Sequence, residues 1–225
     1  MERVVLVGAS GLAREVLAVL RETANDTVLG IVDDNAESLG PEFDRVPVLG
    51  VIEDLYRFPD ARPLLCVGSG SARERIAERL RVQGFGDASY GTVVDPSVRN
   101  PGGCPIGPGS ILLANVTMTA DVSVGRHVVI MPGVTLTHDD VIEDFATIAA
   151  GVSLGGGARV RRAAYLGMNA SVRQNVTVGR YGTLGMGAVL LGDLPDNETW
   201  AGVPAVPLAR VLKLLADESA PGEGS

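Results

Sequence analysis

The stretch DVSVGRHVVIMPGVTLTHDDVIEDF, residues 121–145, has an aliphatic residue at every sixth position. The same step, continued from Ile106 to Leu190, gives fifteen positions, and each is Ile, Leu, Met or Val. Four residues after each of the first fourteen lies a second series, in which eleven residues are Val or Ala. This period predicts one short strand and one turn per repeat, with three repeats to a coil. We therefore predict a parallel β-helix of about five coils.

The composition fits a narrow prism and restricts the possible partners. Aromatic residues make up only 4% of the 225 residues, as expected where large rings have little room. The formal net charge of −8 argues against a nucleic acid or an anionic membrane as partner. No apolar run approaches the roughly 20 residues that span a bilayer, and the N-terminus lacks a signal-peptide pattern. The two cysteines, Cys66 and Cys104, are expected to be reduced thiols, so we expect a cytoplasmic protein.

The first half of the chain follows a different pattern. Runs of β-branched residues alternate with amphipathic stretches, which predicts a parallel sheet built from βα units. The predicted strands are residues 3–8, 27–34, 62–70 and 88–96. The predicted domains are a Rossmann-like α/β half-domain at 1–95, the β-helix at 96–206, and a short helix with a disordered tail at 207–225.

Three features follow predicted strands in this half-domain. They are the glycine turn GASGLA at 8–13, the pair Asp33–Asp34, and the glycine turn GSGSAR at 68–73. Glycine turns at helix starts let a phosphate approach the backbone, and an acid after the second strand binds sugar hydroxyls. About 95 residues are too few for a complete dinucleotide-binding domain. These features therefore favour a mononucleotide or a nucleotide-sugar.

The two halves together resemble a known family. The segments VVLVGASGLAREV, VDD, HDDVIEDF and LGMGAV…AGVPA occur in order over residues 3–206. They resemble the sugar O-acyltransferases of the sialic-acid O-acetyltransferase type, and most of all the bacterial N-acetyltransferases of nucleotide-linked 4-amino-sugars. The resemblance implies a left-handed β-helix, a homotrimer with active sites between subunits, acetyl-CoA as donor, no metal, and a nucleotide-sugar on the N-terminal domain.

The resemblance also implies roles for individual residues. His138 matches the catalytic histidine, and Asp139 matches the acid that raises its basicity. The implied substrate-binding positions are Ser10, Gly11, Leu12, Asp33, Asp34 and Gly68. The implied CoA-binding positions are Thr147, Gly156, Met168, Gly185 and Met186. The chain departs from the family pattern at Leu12 and Thr147, where relatives often have histidine. It also departs at Val206, where relatives have a basic residue, and at Asp140, where the residue is normally small and uncharged.

The chemistry asked of His138 is the removal of a proton from an attacking amine or hydroxyl. Histidine suits this task at neutral pH when its other ring nitrogen is held by an acceptor such as Asp139. The repeat places Asp140 inside the prism, where either the coil distorts or the acid pairs with a partner such as His138. His127 falls where outward residues lie, so we expect it at the surface or at a subunit interface. Arg159, Arg161 and Arg162 are expected to form a solvated face or to contact an anion.

Other functions remain open at this stage. The main prediction is an acetyl-CoA-dependent N-acetyltransferase acting on a nucleotide-linked amino-sugar, and the nearest alternative is O-acetylation of a sugar hydroxyl. A β-helical zinc enzyme of the carbonic anhydrase type needs three histidines, and this chain has two. The short N-terminal half argues against an NAD-dependent oxidoreductase. A non-catalytic nucleotide-binding scaffold is the alternative of a different class.

Overall fold

The computed structural model describes residues 2–101 and 103–208. Its N-terminal unit is built on a five-stranded sheet of order β3-β4-β2-β1-β5, parallel except for the β3–β4 hairpin. These strands are β1 (Glu2–Val7), β2 (Asp26–Val32), β3 (Glu42–Phe43), β4 (Val46–Gly50) and β5 (Arg62–Leu65). The hairpin extends the predicted sheet. Its second strand pairs in parallel with the end of β2.

Helices cover both faces of this sheet. They are α1 (Gly11–Thr23), the short α2 (Ala36–Leu39) and α3 (Gly70–Val82), with 3₁₀ turns at Ile52–Arg57 and Asp87–Ser89. Helix α1 buries Leu12, Val16 and Leu20 on one face, as their spacing predicts. Ser10 and Ser69 cap α1 and α3, because each side chain accepts a hydrogen bond from the backbone N–H three residues later. Both helices therefore begin at the carboxyl ends of strands, next to the glycine turns.

The rest of the chain is a triangular β-helix whose short strands form three sheets, which are parallel except where the last two strands of the first face pair antiparallel. The first face contains β6 (Val93–Val94), β7 (Ile111–Leu112), β10 (Val129–Ile130), β13 (Thr147–Ile148), β16 (Tyr165–Leu166), β19 (Thr183–Leu184), β21 (Thr199–Ala201) and β22 (Val206–Pro207). The second face contains β8 (Thr117–Met118), β11 (Thr135–Leu136), β14 (Ser153–Leu154), β17 (Ser171–Val172) and β20 (Val189–Leu190). The third face contains β9 (Ser123–Val124), β12 (Val141–Ile142), β15 (Arg159–Val160) and β18 (Thr177–Val178).

The two apolar series of the repeat fill the prism. From Leu112 to Leu190 the large aliphatic positions are buried, and Val and Ala of the second series lie among them in one continuous core. At each corner from Gly109 to Gly187 one residue has a left-handed backbone, again every six residues. Gly, Asn and Asp occupy ten of these fourteen positions because they tolerate positive φ most readily. The sixfold period is therefore a property of the corners as well as of the core.

One predicted strand belongs to a different sheet from the one expected. Val93–Val94, expected in the N-terminal sheet, pairs instead with Ile111–Leu112 and starts the first face of the β-helix. Val94 lies 18 residues before Leu112, so the coil pattern begins earlier than Ile106. At the other end, Trp200 packs against the prism core. Residues 209–225, which include most of the predicted C-terminal helix, lie outside the described residues. In the part of the chain that the structure describes, helices are too short and too polar to cross a membrane.

Candidate active site

His138 and Asp139 form a corner between the second and third faces. Strand β11 ends at Leu136, and Asp139 has a left-handed backbone with φ of 64°. His138 Nδ1 lies 2.8 Å from Asp139 Oδ2. Because a carboxylate only accepts hydrogen bonds, the neutral imidazole carries its proton on Nδ1 and keeps a lone pair on Nε2. The hydrogen bond to Asp139 raises the pKa of His138 above its ordinary value.

Gly156, in the next coil, lies directly under the imidazole. A Cβ built on Gly156 would overlap His138 Cε1 and Nε2, so any other residue here must displace the ring. The side chains of His138 and Asp139 keep 68% and 65% of their surfaces exposed. They line a cavity of about 230 Å³ together with Gly156, Gly157, Gln174 and Asn175. The corner thus presents an oriented base to an open space.

Asp140 is fully buried beside this pair, as the repeat predicts. Its Oδ2 accepts a hydrogen bond from Thr137 N–H at 2.7 Å, and its Oδ1 accepts one from Ala158 N–H at 2.9 Å. The partners of this acid are therefore backbone amides, and the direct pairing with His138 that we considered is absent among its hydrogen bonds in the described residues. Burial raises the pKa of Asp140 to about 6, although the two amide donors favour the charged form.

A larger cavity of about 450 Å³ lies between the N-terminal unit and the first face of the β-helix. Both groups of residues implied by the resemblance meet here. The predicted positions that line it are Ser10, Gly11, Leu12, Gly68, Thr147, Met168 and Met186. Val129, Met131 and Ala149 make its wall largely apolar. The structure therefore joins most of the implied substrate and CoA positions in one site.

Of the other implied positions, Gly156 lines the cavity at His138, and three line neither cavity. Asp33 Oδ2 accepts a hydrogen bond from Ala9 N–H at 2.7 Å, so this carboxylate holds the first glycine turn from within the unit. Asp34 accepts two 2.8 Å hydrogen bonds from the Arg79 guanidinium at the surface. Gly185 precedes Met186 but packs against Ala201. Direct ligand contacts by these three residues stay predictions.

Arg73 joins the two halves of the molecule, and the sequence reading missed it. The side chain is fully buried, and burial lowers its pKa to about 9. The guanidinium donates to six oxygens at 2.7–3.0 Å: the carbonyls of Val67, Gly68, His127, Phe145 and Ala146, and Thr147 Oγ1. The Thr147 hydroxyl in turn donates to the Gly68 carbonyl at 2.8 Å. Arg73 therefore fixes Gly68 and Thr147, which are in direct contact in the wall of the larger cavity.

His127 is buried, and the prediction of a surface position is wrong for the single chain. Only 1% of the residue is exposed. Its ring stacks on Phe145 with centroids 5.0 Å apart and meets the edge of Tyr90 at 4.4 Å. Burial lowers its pKa to about 4, so the ring is neutral at physiological pH. His127 lies at the corner between the third and first faces, which the N-terminal unit covers.

Arg159 and Arg162, which were expected to act together with Arg161, have different surroundings. Arg162 donates to Glu74 of α3 at 2.7 Å, and its guanidinium carbon lies 4.8 Å from the Phe145 ring centroid. Arg159 is exposed on the third face. Arg162 therefore belongs to the junction between the two halves, whereas Arg159 fits the expected solvated face.

Glu15 is a further residue that the sequence reading missed. It follows the first turn of α1 and is the single charged side chain among those that line the larger cavity in the described residues. Its partial burial raises the pKa of the carboxyl. A carboxylate in an otherwise apolar site favours a ligand that carries a positive charge or hydrogen-bond donors.

Comparisons with known proteins found a matching family model and similar solved structures. Residues 3–80 match the family model described as the PglD N-terminal domain. A mutant of perosamine N-acetyltransferase from Caulobacter crescentus, solved with CoA and GDP-perosamine, is 28% identical with a TM-score of 0.83, over 92% of this chain and 97% of that chain. The resemblance predicted from the sequence is confirmed. The chain is similar to N-acetyltransferases of nucleotide-linked amino-sugars.

Further relatives extend this result. The acetyltransferase domain of PglB from Neisseria gonorrhoeae FA1090, solved with acetyl coenzyme A, is 28% identical with a TM-score of 0.81, over 92% of this chain and 99% of that chain. UDP-N-acetylbacillosamine N-acetyltransferase from Bacillus subtilis (strain 168) is 29% identical over 116 residues, so the match spans about half of each protein, 51% and 52%. The predicted fold class, an α/β unit followed by a left-handed β-helix, is confirmed by these matches.

Proposed function

We propose that the protein is an acetyl-CoA-dependent N-acetyltransferase that acts on the amino group of a nucleotide-linked amino-sugar, with His138 as general base. The observation that carries the proposal is the His138–Asp139 pair at 2.8 Å, which leaves Nε2 free above Gly156. Similarity over 92% of the chain to solved N-acetyltransferases that hold CoA or acetyl coenzyme A supports the same reaction class.

The chemistry follows from this pair. The amine must lose a proton as its nitrogen attacks the thioester carbonyl, and His138 Nε2 accepts that proton. Asp139 stabilises the imidazolium that forms, because its carboxylate accepts the Nδ1 hydrogen bond. The C–S bond then breaks, and the thiolate of CoA takes the proton from His138. The products are an amide and free CoA, and the base returns to its starting state.

The larger cavity is the proposed site for the acceptor. The turn at Ser10 and Gly11 opens α1, whose N-terminal backbone N–H groups favour a phosphate. Met131, Met168 and Met186 offer apolar surface on the β-helix side. Tyr165 and Met186 are 41% and 74% exposed, which suits surfaces that a bound ligand covers. The implied contacts of CoA at Thr147, Met168 and Met186 belong to this proposal.

The proposed base and the proposed acceptor cavity lie at different corners of one prism. His138 lies between the second and third faces, whereas Met131, Ala149 and Met186 follow strands of the first face. The second face separates them. A complete site therefore needs a second copy of the chain, and a triangular prism suits three equivalent contacts. We infer a homotrimer with active sites between subunits, in the cytoplasm, where acetyl-CoA is available.

Thiol release from acetyl-CoA tests the proposed reaction. Wild type and His138→Ala are compared on UDP-, GDP- and dTDP-linked amino-sugars and on free sialic acid. We expect turnover on one nucleotide-linked amino-sugar that falls by roughly 100-fold or more in the variant. Turnover on sialic acid alone would identify O-acetylation. CoA binding with no turnover on any acceptor would favour the non-catalytic scaffold.

A further inference from the structure

The corner that carries His138 is built differently from its neighbours. At ten corners from Leu113 to Arg173, the residue that follows the large aliphatic position donates its backbone N–H to the next coil. The acceptor is the backbone carbonyl of the equivalent aliphatic residue, at N···O distances of 2.8–3.2 Å. Thr137 is the exception within this range. Its N–H donates to Asp140 Oδ2, and its hydroxyl, at 2.9 Å, replaces the amide as donor to the Leu154 carbonyl.

The exchange of the Thr137 amide for its hydroxyl also shortens the pairing between β11 and β14. Strands β11 and β14 pair only at Thr135 and Ser153, whereas both neighbouring pairs of this face, β8–β11 and β14–β17, have two partners each. The second Asp140 oxygen reaches Ala158 N–H in the coil that also holds Gly156. Asp140 thus connects the residue before His138 to the coil on which the imidazole rests.

We propose that Asp140 is a positioning residue for His138: its buried carboxylate draws the Thr137 N–H out of the strand ladder and so sets the turn that presents the imidazole above Gly156. The proposal rests on the proposed role of His138 as base. Asp140 lies inside the prism and lines neither cavity, so it acts through His138 and not on a ligand.

The surroundings of Asp140 define what its removal changes. The charged groups near Asp140 are His138 and Asp139 on the same turn. Asp121 lies at the same corner as Asp139, one coil earlier. The next coil presents Ala158 N–H, and the equivalent position in the preceding coil is the apolar Val122. Loss of this carboxylate removes a negative charge from beside His138, so the pKa of the imidazole should fall.

Asp140→Ala tests the idea because the repeat itself uses Ala at this position, as at Ala146. The variant can restore the standard ladder bond from Thr137 to Leu154. We expect a stable protein with unchanged KM values and a kcat that is lower by roughly tenfold to 100-fold, the scale expected for a misplaced base. The matched control is Ser110→Ala, which removes the other buried polar side chain of this series, 30 residues before Asp140, and should leave kcat unchanged.

Two measurements need no substrate, so they remain valid if the proposed reaction is wrong. The chain has two histidines, so NMR titration assigned with His138→Ala reports the His138 pKa directly. It should be lower in Asp140→Ala than in wild type. Thr137→Val should destabilise the wild type strongly and the Asp140→Ala background much less, because the hydroxyl is needed only when the amide is diverted.

An unchanged His138 pKa, together with equal effects of Thr137→Val in both backgrounds, would overturn the proposal. An Asp140→Ala protein that keeps wild-type kcat would also overturn it. If the alanine variant does not fold, Asp140→Ser is tested in its place. Ser110 shows that a serine at this position of the repeat can accept a hydrogen bond from a backbone N–H of the next coil. The serine variant should fold and show the same fall in the pKa of His138 and in kcat.

Discussion

Gly156 and His138 are in such close contact that no side chain fits between them. A Cβ on residue 156 would fall on the edge of the imidazole that carries Nε2. We therefore expect Gly156→Ala to fold, because its backbone is not in the left-handed region, and to reduce kcat by roughly tenfold to 100-fold. The measurement is steady-state acetyl transfer on the acceptor that the panel identifies.

The matched control for Gly156 is Gly192→Ala, where an added Cβ meets nothing within 4 Å. It should keep full activity. A Gly156→Ala enzyme as active as this control would show that the contact with residue 156 does not restrict the position of the His138 imidazole.

Asp139 sets the acid limb of the pH profile. Its hydrogen bond raises the pKa of His138, so a base that must be neutral is lost as the pH falls through a value above about 6.5. Asp139→Asn keeps the side-chain shape and removes the charge. The His138 pKa should fall, and the acid limb of kcat/KM should move to lower pH, with a lower plateau because the base is weaker and less well oriented. An acid limb at the same pH in both proteins would assign that ionisation to another group.

Arg73 should control the junction between the two halves. Arg73→Met leaves carbonyls of both halves without donors in a buried site, and we expect a loss of about 3 kcal/mol or more in the free energy of unfolding. Arg75→Met on the exposed side of the same helix is the control and should change stability by less than about 0.5 kcal/mol. Chemical denaturation measures both. If the two variants were equally stable, the buried Arg73 guanidinium would make no net contribution to the free energy of unfolding.

The sequence predicted the array and the core positions because both follow from a strict period, whereas His138 and Asp139 were identified from the family resemblance. It misplaced His127 because the period identifies a corner but not what covers that corner. The N-terminal unit covers His127 and Phe145, two bulky residues of one corner column that adopt the left-handed backbone. Arg73 was visible in principle: it lies on the same helical face as the buried Ile76 and Leu80. A charged residue on an apolar face was the available signal.

The larger cavity was predictable only in part. Ser10, Gly11 and Gly68 follow from the glycine turns, because such turns open helices at the edge of a sheet. Glu15 carries no sequence signal, since an acid on the exposed part of an amphipathic helix is ordinary. Its position opposite apolar residues of the β-helix depends on how the two halves dock, and contacts between distant segments cannot be read from local periodicity.

Glu15 should select for positive charge in the acceptor. A carboxylate in an apolar cavity pairs with the ammonium of an amino-sugar and gains less from a hydroxyl. Glu15→Gln should therefore weaken binding of the nucleotide-linked amino-sugar by roughly tenfold while changing the affinity of the hydroxyl analogue on the same nucleotide by much less. Isothermal titration with both ligands gives the ratio. Glu22→Gln removes the same charge from the far end of α1 and is the control. Equal losses for both ligands would show that Glu15 does not recognise the amine.

A shared active site makes a specific prediction about mixed oligomers. His138→Ala removes the base, and Ala150→Trp fills the larger cavity, so each variant alone should be inactive. If the base of one subunit works on the acceptor held by another, co-expressed chains should form hybrid sites that join an intact His138 to an intact cavity. Activity should then reappear at up to roughly a third of the wild-type value, since only some hybrid interfaces combine the two intact parts. Mixing the separately purified proteins without exchange of subunits is the control and should stay inactive. Failure of the co-expressed chains to recover activity, while light scattering shows that hybrids form, would place both parts of the site within one chain and contradict the shared arrangement.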